Sequence, residues 1–241
     1  SIKGASGVTY TNGAVTNAKI DAYLSAKQRS GSVYWSIDGN GHLELSPVSG
    51  DIGYFDSFGS DDNATPPWQA YKANIITVSI EDRTTVAIAD NGTTCRLFED
   101  CINMVSCDLS NFDNGKSTNM YHIFANCRML QDLKLGPLFT TGKAARMDEA
   151  FANCASLTSL DLSKWATSEV KNMTRMFSGC IALANLNVDG FSTTGVSSME
   201  EMFKDCYALT NLSLRTFVTS RVTSMKSMFE NCTKLASIDM Y

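Results

Sequence analysis

A repeat of 26 or 27 residues runs through most of this sequence and limits what the chain can fold into. Six cysteines recur at that spacing: Cys101, Cys127, Cys154, Cys180, Cys206 and Cys232. Each of them follows a phenylalanine by three residues. A unit of this size cannot bury its apolar side alone, so it must stack on copies of itself. We therefore expect a stacked array over residues 93–241.

Each repeat unit combines two periodicities. In residues 198–217, apolar side chains fall at i, i+3, i+4 and i+7, which predicts a short helix; these are Met199, Met202, Phe203 and Cys206. Leu212 and Leu214 then alternate with polar residues, as in a strand. This period and leucine spacing are typical of leucine-rich repeats. The predicted fold is α/β, a right-handed leucine-rich-repeat solenoid of about six ~26-residue coils with short parallel strands and short helices.

Polar residues in front of the predicted helices support their boundaries. Thr, Asn or Ser stands there in five units, at Thr93, Asn119, Asn172, Ser198 and Ser224. Such residues commonly cap helix N-termini, because their side-chain oxygen accepts a free backbone N–H. Arg146 breaks the pattern in the remaining unit.

The composition favours a folded, acidic protein and excludes several classes of partner. Hydrophobic residues make up 44% of the 241 positions, and the formal net charge is −5. No run of Lys or Arg stands out, which argues against a nucleic-acid partner. No apolar run approaches the ~18 residues that a membrane span needs, so direct membrane insertion is not expected. No cofactor is expected either.

The cysteines are predicted to act as small buried residues. The chain has eight, and an even number invites a disulfide framework. Six of them occupy the same place in successive units, however, where neighbouring Cα atoms are expected to lie too far apart for a disulfide. We expect these six to stay reduced. Cys95 and Cys107 lie outside this series, and their pairing is left open.

Residues 1–92 are predicted to form a small α+β capping region for the array at residues 93–241. Residues 15–27 have the spacing of a helix. Two alternating runs within residues 32–46 flank the sequence Asp-Gly-Asn-Gly, which predicts a β-hairpin. Trp68 is expected to close the end of the core.

Catalytic and metal-binding patterns are scarce. The two histidines, His42 and His122, are predicted to be solvated, and neither has a nucleophile at a telling spacing. A loop at residues 51–62 contains four aspartates, namely Asp51, Asp56, Asp61 and Asp62. A Ca²⁺ site or an enzyme site there is conceivable, but the EF-hand spacing is absent and a solvated loop is the better interpretation. No catalytic or metal-binding residue is predicted.

The predicted strands present a polar face. Side chains beside the inward leucines point outward, and parallel strands ~4.8 Å apart align them into one surface. Solenoids commonly bind partners on such faces, although short polar residues also suit a crowded sheet. The candidate binding residues are Asp132, Lys134, Asp161, Asn185, Asn187, Asn211, Ser213 and Arg215.

The repeat resembles that of a known family. Residues 173–198 read MTRMFSGCIALANLNVDGFSTTGVSS. They follow the pattern M-x-x-M-F-x-x-C-x-x-L-x-x-L-x-L of the BspA-like bacterial surface repeat, also named DUF285. The resemblance covers residues 93–241, and the segments at 35–46, 67–68 and 78–81 resemble what precedes such repeats. The first unit departs from the pattern, with Thr94, Leu97 and Cys107 in place of Met, Met and Leu.

The resemblance implies a secreted or cell-surface bacterial protein that acts in adhesion and binds host or matrix molecules. It carries no catalytic residues. We predict non-enzymatic recognition of a protein or glycan through the strand face, at an extracellular or cell-surface location, with no signal peptide recognisable in the sequence. The alternatives are a structural spacer without a ligand and, less favoured, an enzyme that uses the 51–62 loop.

The last predicted strand carries no polar capping unit before Tyr241. An uncapped coil exposes apolar surface and unpaired backbone. We expect that a longer parent chain continues the array, that the last coil associates with another copy of the chain, or that the final residues cover it.

Overall fold

The structure is a computed structural model that describes residues 26–56, 59, 63–90 and 92–240, and the backbone of residues 2–3 and 9–10. Its N-terminal strands are β1 (Ile2–Lys3), β2 (Thr9–Tyr10), β3 (Gln28–Ser30), β4 (Val33–Ile37), β5 (His42–Pro47), β6 (Ile52–Phe55), β7 (Thr77–Ile80) and β8 (Thr85–Ile88). The strands that follow are β9 (Ser106–Leu109), β10 (Phe112–Asp113), β11 (Asp132–Leu135), β12 (Ser159–Asp161), β13 (Asn185–Asn187), β14 (Asn211–Ser213) and β15 (Ser237–Asp239). A 3-10 helix covers Gln69–Asn74.

The predicted hairpin is confirmed. β4 and β5 pair antiparallel, with Trp35 opposite Leu45 and Ile37 opposite Leu43. The Oδ1 of Asp38 accepts the backbone N–H of His42 at 2.9 Å and so closes the turn. The helix predicted for residues 15–27 lies outside the described residues except at its last two positions, which are not helical.

One mixed sheet joins the hairpin to the repeat strands. β3, β4 and β5 pair antiparallel, and β5, β7, β9 and β11 continue as parallel neighbours. β6, β8 and β10 form a second, parallel sheet, and two parallel pairs follow, β12 with β13 and β14 with β15. The six-stranded sheet crosses the predicted boundary between residues 92 and 93, and the division there stays a prediction.

The short helices predicted for the repeat units are wrong. Over residues 173–180 the N–H of Ser178 donates to the carbonyl of Arg175 at 3.0 Å, and the N–H of Cys180 donates to that of Phe177 at 3.1 Å. These bonds span three residues, as in β-turns, whereas an α-helix spans four. Successive turns therefore form this part of the unit.

Left-handed backbone conformations mark the same segments. Residues with positive φ recur twice in each unit, at Arg96, Asp100, His122, Asn126, Glu149, Asn153, Arg175, Gly179, Glu201, Asp205, Ser227 and Asn231. An α-helix has no such residues, whereas a type II turn requires one at its third position. A run of β-turns is thus the observed counterpart of each predicted helix.

Hydrogen bonds between units explain why turns replace helices. The N–H groups of Arg175 and Phe177 each donate to a carbonyl of the next unit, those of Glu200 and Met202, at 2.9 Å. A helix would use these groups internally, and a helix of two turns is marginal by itself. In the run of β-turns, about half of the backbone N–H groups bond within the unit, and the other half bond to carbonyls of the next unit.

The predicted helix caps cap turns instead. The Oδ1 of Asn119 accepts the N–H of Tyr121 at 2.8 Å, and that of Asn172 accepts the N–H of Thr174 at 3.0 Å. Bonds from residue i to i+2 are typical of Asx-turns. The capping positions also form a column of parallel bridges that includes Arg146.

Aromatic rings form the centre of the core. The phenylalanines that precede the cysteines stack with centroids 5.5–5.7 Å apart, through Phe98, Phe124, Phe151, Phe177, Phe203 and Phe229. Trp68 extends the stack, 5.7 Å from Phe98, and its Nε1–H donates to the carbonyl of Leu97 at 2.9 Å. Trp35 and Phe55 pack on Trp68 at 6.3 and 5.7 Å, and the core continues into the N-terminal strands. Trp68 thus ends the phenylalanine stack but does not close the core, which differs from the prediction.

The cysteine series is buried, as predicted, with Cys232 half-buried. Each thiol from the second unit onward donates to the carbonyl of a phenylalanine in the preceding unit; for Cys180 this is Phe151, at 3.1 Å. Burial raises the pKa of the Cys154 thiol to about 12. Cys95 and Cys107 are buried. The thiols of the series from Cys127 onward therefore act as small packing groups with one weak hydrogen bond each.

Asn114 is the least satisfied polar group of the core, and replacing it with threonine is expected to stabilise the fold. It is fully buried, and no hydrogen-bond donor among the described residues reaches its Oδ1. The same position in later units holds threonine, whose hydroxyl donates to the next unit, as Thr167 does to Ser192 at 2.8 Å. We expect Asn114→Thr to raise the free energy of unfolding by about 1 kcal/mol in urea titrations.

The reverse change in the same position is the control. Thr193 donates to the carbonyl of Val218 at 3.0 Å, so Thr193→Asn is expected to lower the free energy of unfolding. The contact that Asn114→Thr removes, from Nδ2 to the Met120 sulfur at 3.7 Å, is weak. A destabilised Asn114→Thr variant would contradict the prediction.

Candidate functional site

The strand face holds the eight residues predicted to bind a partner. The structure places Asp132 and Lys134 on β11, Asp161 on β12, Asn185 and Asn187 on β13, Asn211 and Ser213 on β14, and Arg215 just after β14. Asn187 and Ser213 are half-buried and the others are exposed. Alternation sends their neighbours Leu160, Leu186 and Leu212 into the core.

Four of these residues come together around one shallow depression. Asp161, Asn185, Asn187 and Asn211 line a cavity of about 260 Å³ together with Ser159, Leu160 and Leu186. The parallel register of β12 and β13 sets Asp161 beside Asn187. The candidate site is therefore a polar rim over a leucine floor.

The rim keeps hydrogen-bonding groups that the fold does not use. The Oδ1 atoms of Asp161 and Asn187 accept backbone N–H groups at 2.9 and 3.1 Å, and Asn187 Nδ2 makes no hydrogen bond within the described residues. Asn185 makes no side-chain hydrogen bond within the described part of the chain. Asn211 is tied to a neighbouring unit, because its Oδ1 accepts the Ser237 hydroxyl at 2.6 Å. The rim can thus offer both donors and acceptors.

The charge of the depression is negative. The backbone N–H and the hydroxyl of Ser163 lower the pKa of the Asp161 carboxyl, which therefore stays ionised at neutral pH. No Lys or Arg lines the depression.

The remaining candidates are not part of this depression. Lys134 forms an ion pair with Asp108 at 3.3 Å, and Arg215 forms one with Asp239 at 2.6 Å. Asp132 lies on β11, in a different sheet from β12. The cationic candidates are therefore engaged with neighbouring units.

A charge cluster that the sequence did not reveal surrounds His122. The prediction of a solvated His122 is wrong, since its side chain is only 13% exposed. Its Nδ1 lies 2.5 Å from Glu99 Oε1, and its Nε2 lies 3.1 Å from Glu149 Oε2. The second contact is an ion pair whose N–H direction is not aligned for a hydrogen bond. The cluster continues to Arg175, which contacts Glu201 at 2.7 Å.

The two carboxylates decide the charge of His122. Burial by itself lowers the pKa of this imidazole, but Glu149 and Glu99 outweigh it and raise the pKa to about 9. His122 is therefore a cation at neutral pH. The sequence spacing could have predicted the contact between His122 and Glu149, because these two residues occupy the same position in adjacent units.

His42 and the acidic loop offer no reactive arrangement. His42 is half-buried rather than solvated, with Nδ1 2.7 Å from the Thr77 hydroxyl and Nε2 3.1 Å from that of Ser79. In the acidic loop, Asp56 accepts the N–H of Gly31 at 2.8 Å, while Asp61 and Asp62 lie outside the described residues. Among the described residues, no three His, Cys, Asp or Glu side chains are grouped to hold a metal ion.

No helix in the described part of the chain has the length and apolar character to cross a membrane.

Several solved structures that resemble this chain are leucine-rich repeat proteins of bacteria. One from T. pallidum is 16% identical over 85% of this chain and 78% of its own, with a TM-score of 0.36. One from Eubacterium ventriosum is 14% identical over 87% and 83%, with a TM-score of 0.23. A leucine-rich cell-surface protein from Faecalibacterium prausnitzii is 13% identical over 89% and 94%, with a TM-score of 0.21. At these TM-scores the likenesses carry no argument of their own.

The sequence comparisons agree with the resemblance stated above. A comparison with curated proteins gave no match. The family model described as "Mycoplasma protein of unknown function, DUF285" matches residues 118–240. Since that match spans more than half of the 241 residues, this chain belongs to the DUF285 family.

Proposed function

We propose that this chain is a non-enzymatic recognition or adhesion module that binds a protein or glycan partner through its strand face. In this proposal the array is a right-handed leucine-rich-repeat solenoid of about six coils. The observation that carries the proposal is the depression around Asn185, where donors and acceptors stand ready on rigid strands and are not used by the fold.

The geometry supports recognition in two ways. Because Asn185 and Asn187 project from a paired strand, a partner does not have to order them on binding, which lowers the entropic cost of association. Because the rim carries both donors and acceptors around a shallow depression, a partner that fills the depression can pair with several of them at once. The negative charge at Asp161 favours a neutral or basic ligand.

A location at the bacterial cell surface is part of the proposal. It is supported by membership of the DUF285 family, whose repeat resembles that of bacterial surface proteins. The self-association predicted for the last coil stays a prediction.

A binding screen with one blocking variant tests the proposal. The protein is applied to panels of extracellular-matrix proteins and glycans, and each hit is measured again with Asn185→Arg, which places a long cationic side chain over the depression. We expect at least a tenfold loss of affinity. Ser168→Arg is the matched control, since Ser168 is exposed, lies outside the strand face, and gains the same charge. Equal binding by the parent and Asn185→Arg would contradict the proposal.

A structural spacer is the second candidate function. The aromatic stack from Trp68 to Phe229 favours it, because a continuous core resists bending between units. In that case neither panel should give a hit. A hit that Asn185→Arg abolishes would argue against a spacer without a ligand of its own.

A further inference from the structure

A column of Asp and Asn side chains joins the units outside the strand face. The Nδ2 of Asn126 donates to Asp100 at 2.8 Å, and that of Asn153 donates to Asn126 Oδ1 at 2.9 Å. Further along, the Nδ2 of Asn231 donates to Asp205 Oδ1 at 2.7 Å. These residues occupy the second left-handed position of each unit, so the same backbone geometry brings them into line.

Gly179 interrupts this column between Asn153 and Asp205. Its φ of 76° lies near the values of 59° at Asn153 and 63° at Asn231, so the backbone itself does not require glycine here. A Cβ at this position would stand 2.2 Å from Asn153 Oδ1, so that oxygen already lies against Gly179 and would have to shift to admit a side chain. Among the described residues no donor reaches that oxygen. The missing side chain therefore leaves Asn153 Oδ1 as an unused acceptor.

Gly179 and Asn153 line a cavity of about 320 Å³ that shares no lining residue with the strand-face depression. Ile181 and Tyr207 form an apolar part of its wall and are 47% and 42% exposed. The Tyr207 hydroxyl donates to Asp205 Oδ1 at 3.2 Å, which holds the ring beside the cavity. Arg128 also lines it, and its guanidinium makes no hydrogen bond or ion pair within the described part of the chain.

The chemistry of this wall selects one class of ligand. Arg128 supplies free donors, while Asn153 Oδ1 and Asp205 Oδ2 supply free acceptors. The carboxylate disfavours an anion, and the guanidinium disfavours a cation. An exposed aromatic ring beside an aliphatic side chain suits a flat C–H surface. A ligand that both donates and accepts around an apolar face, carries no net charge and fits a small cavity is a sugar ring.

We propose that the cavity at Gly179 binds a neutral hexose unit of a glycan. The ring packs on Tyr207 and Ile181, and its hydroxyls bond to Arg128, Asn153 and Asp205. This site is separate from the strand face and stands whether or not that face binds a partner.

Saturation-transfer NMR with simple glycosides tests the proposal. The probes are the methyl glycosides of glucose, galactose, mannose and N-acetylglucosamine at millimolar concentration. We expect transfer to the ring protons of at least one of them. Gly179→Asn should reduce it at least tenfold, because asparagine already occupies this left-handed position in neighbouring units. Its Nδ2 would repeat the column bond and take up the Asn153 Oδ1 acceptor, and its side chain would enter the cavity wall. Tyr207→Ala should reduce the transfer to the same extent by removing the ring.

Two controls make every outcome decisive. Met129→Ala trims a side chain that is 45% exposed and does not line the cavity, so the transfer should persist. Asn185→Arg, in the strand-face depression, should also leave it unchanged. Tyr207→Ala keeps the test valid if Gly179→Asn does not fold. No transfer to any glycoside, or transfer that persists in Tyr207→Ala or folded Gly179→Asn, would overturn the proposal, as would a loss confined to Asn185→Arg.

Discussion

Phe177→Ala is expected to lower the free energy of unfolding by about 3–5 kcal/mol, the range for removing a buried phenylalanine. The ring is fully buried and stacks on Phe151 at 5.7 Å and on Phe203 at 5.6 Å, with both pairs within 5° of parallel. Each stacked pair adds ~0.5–1.5 kcal/mol beyond the buried area. Since neighbouring units support one another in a repeat array, the loss weakens contacts on both sides. Urea titration followed by circular dichroism measures the change.

Phe229→Ala is the matched control, in the same position of a later unit. Phe229 is half-buried, and Phe203 is its one stacking partner within the described residues. Its removal is expected to cost clearly less than that of Phe177. Equal losses for the two variants would mean that stacking on both faces does not set the stability of the array.

His122→Gln is expected to lower the free energy of unfolding by up to about 3 kcal/mol near pH 6 and by much less above pH 9. Glu149 and Glu99 raise the pKa of His122 from 6.5 to about 9 against the effect of burial. An imidazole with a raised pKa in the folded state stabilises that state fully below its unfolded pKa. The contribution is lost as the pH rises through the folded pKa, so it declines between about 6.5 and 9.

The measurement is the difference in unfolding free energy between parent and variant across this pH range. The ionisation of buried thiols at high pH affects both proteins alike, so the difference isolates His122. Arg96 and Arg175 also face the cluster, through Glu99 and Glu149. Glu149→Gln should move the NMR-measured pKa of His122 downward. A difference that stays flat from pH 6 to pH 10 would contradict the prediction.

The helix prediction failed because two structures share one spacing. Apolar residues at i, i+3, i+4 and i+7 reach the same side in a helix and also in a run of β-turns. The sequence did indicate the second left-handed position of each unit, because Asp, Asn or Gly stands there in all six units: Asp100, Asn126, Asn153, Gly179, Asp205 and Asn231. These residue types tolerate positive φ best. The sequence did not indicate the first left-handed position, because residues found there, such as Arg175 and Glu201, are ordinary helix formers.

The candidate site was only partly readable from the sequence. Alternation on the strands indicated that Asp161, Asn185 and Asn187 face outward, and they do. It did not indicate that Lys134 and Arg215 are engaged by Asp108 and Asp239, which lie 24–26 residues away in the chain. The cavity at Gly179 was also missed, because a predicted helix gives no reason to compare equivalent side chains between units.

The order of apolar residues was sufficient to establish stacking, the phenylalanine and cysteine series, and the outward face of the strands. Each unit has one apolar side, and only a neighbouring unit can cover it, so the period itself specifies the contacts. Hydrogen bonds between units decided that the backbone between the predicted cap and the cysteine of each unit forms β-turns and not a helix. The distances between side chains of adjacent units decided which polar groups pair with a neighbour, as His122 and Lys134 do. They also decided which polar groups have no such partner, as at Asn185 and at the Asn153 oxygen beside Gly179.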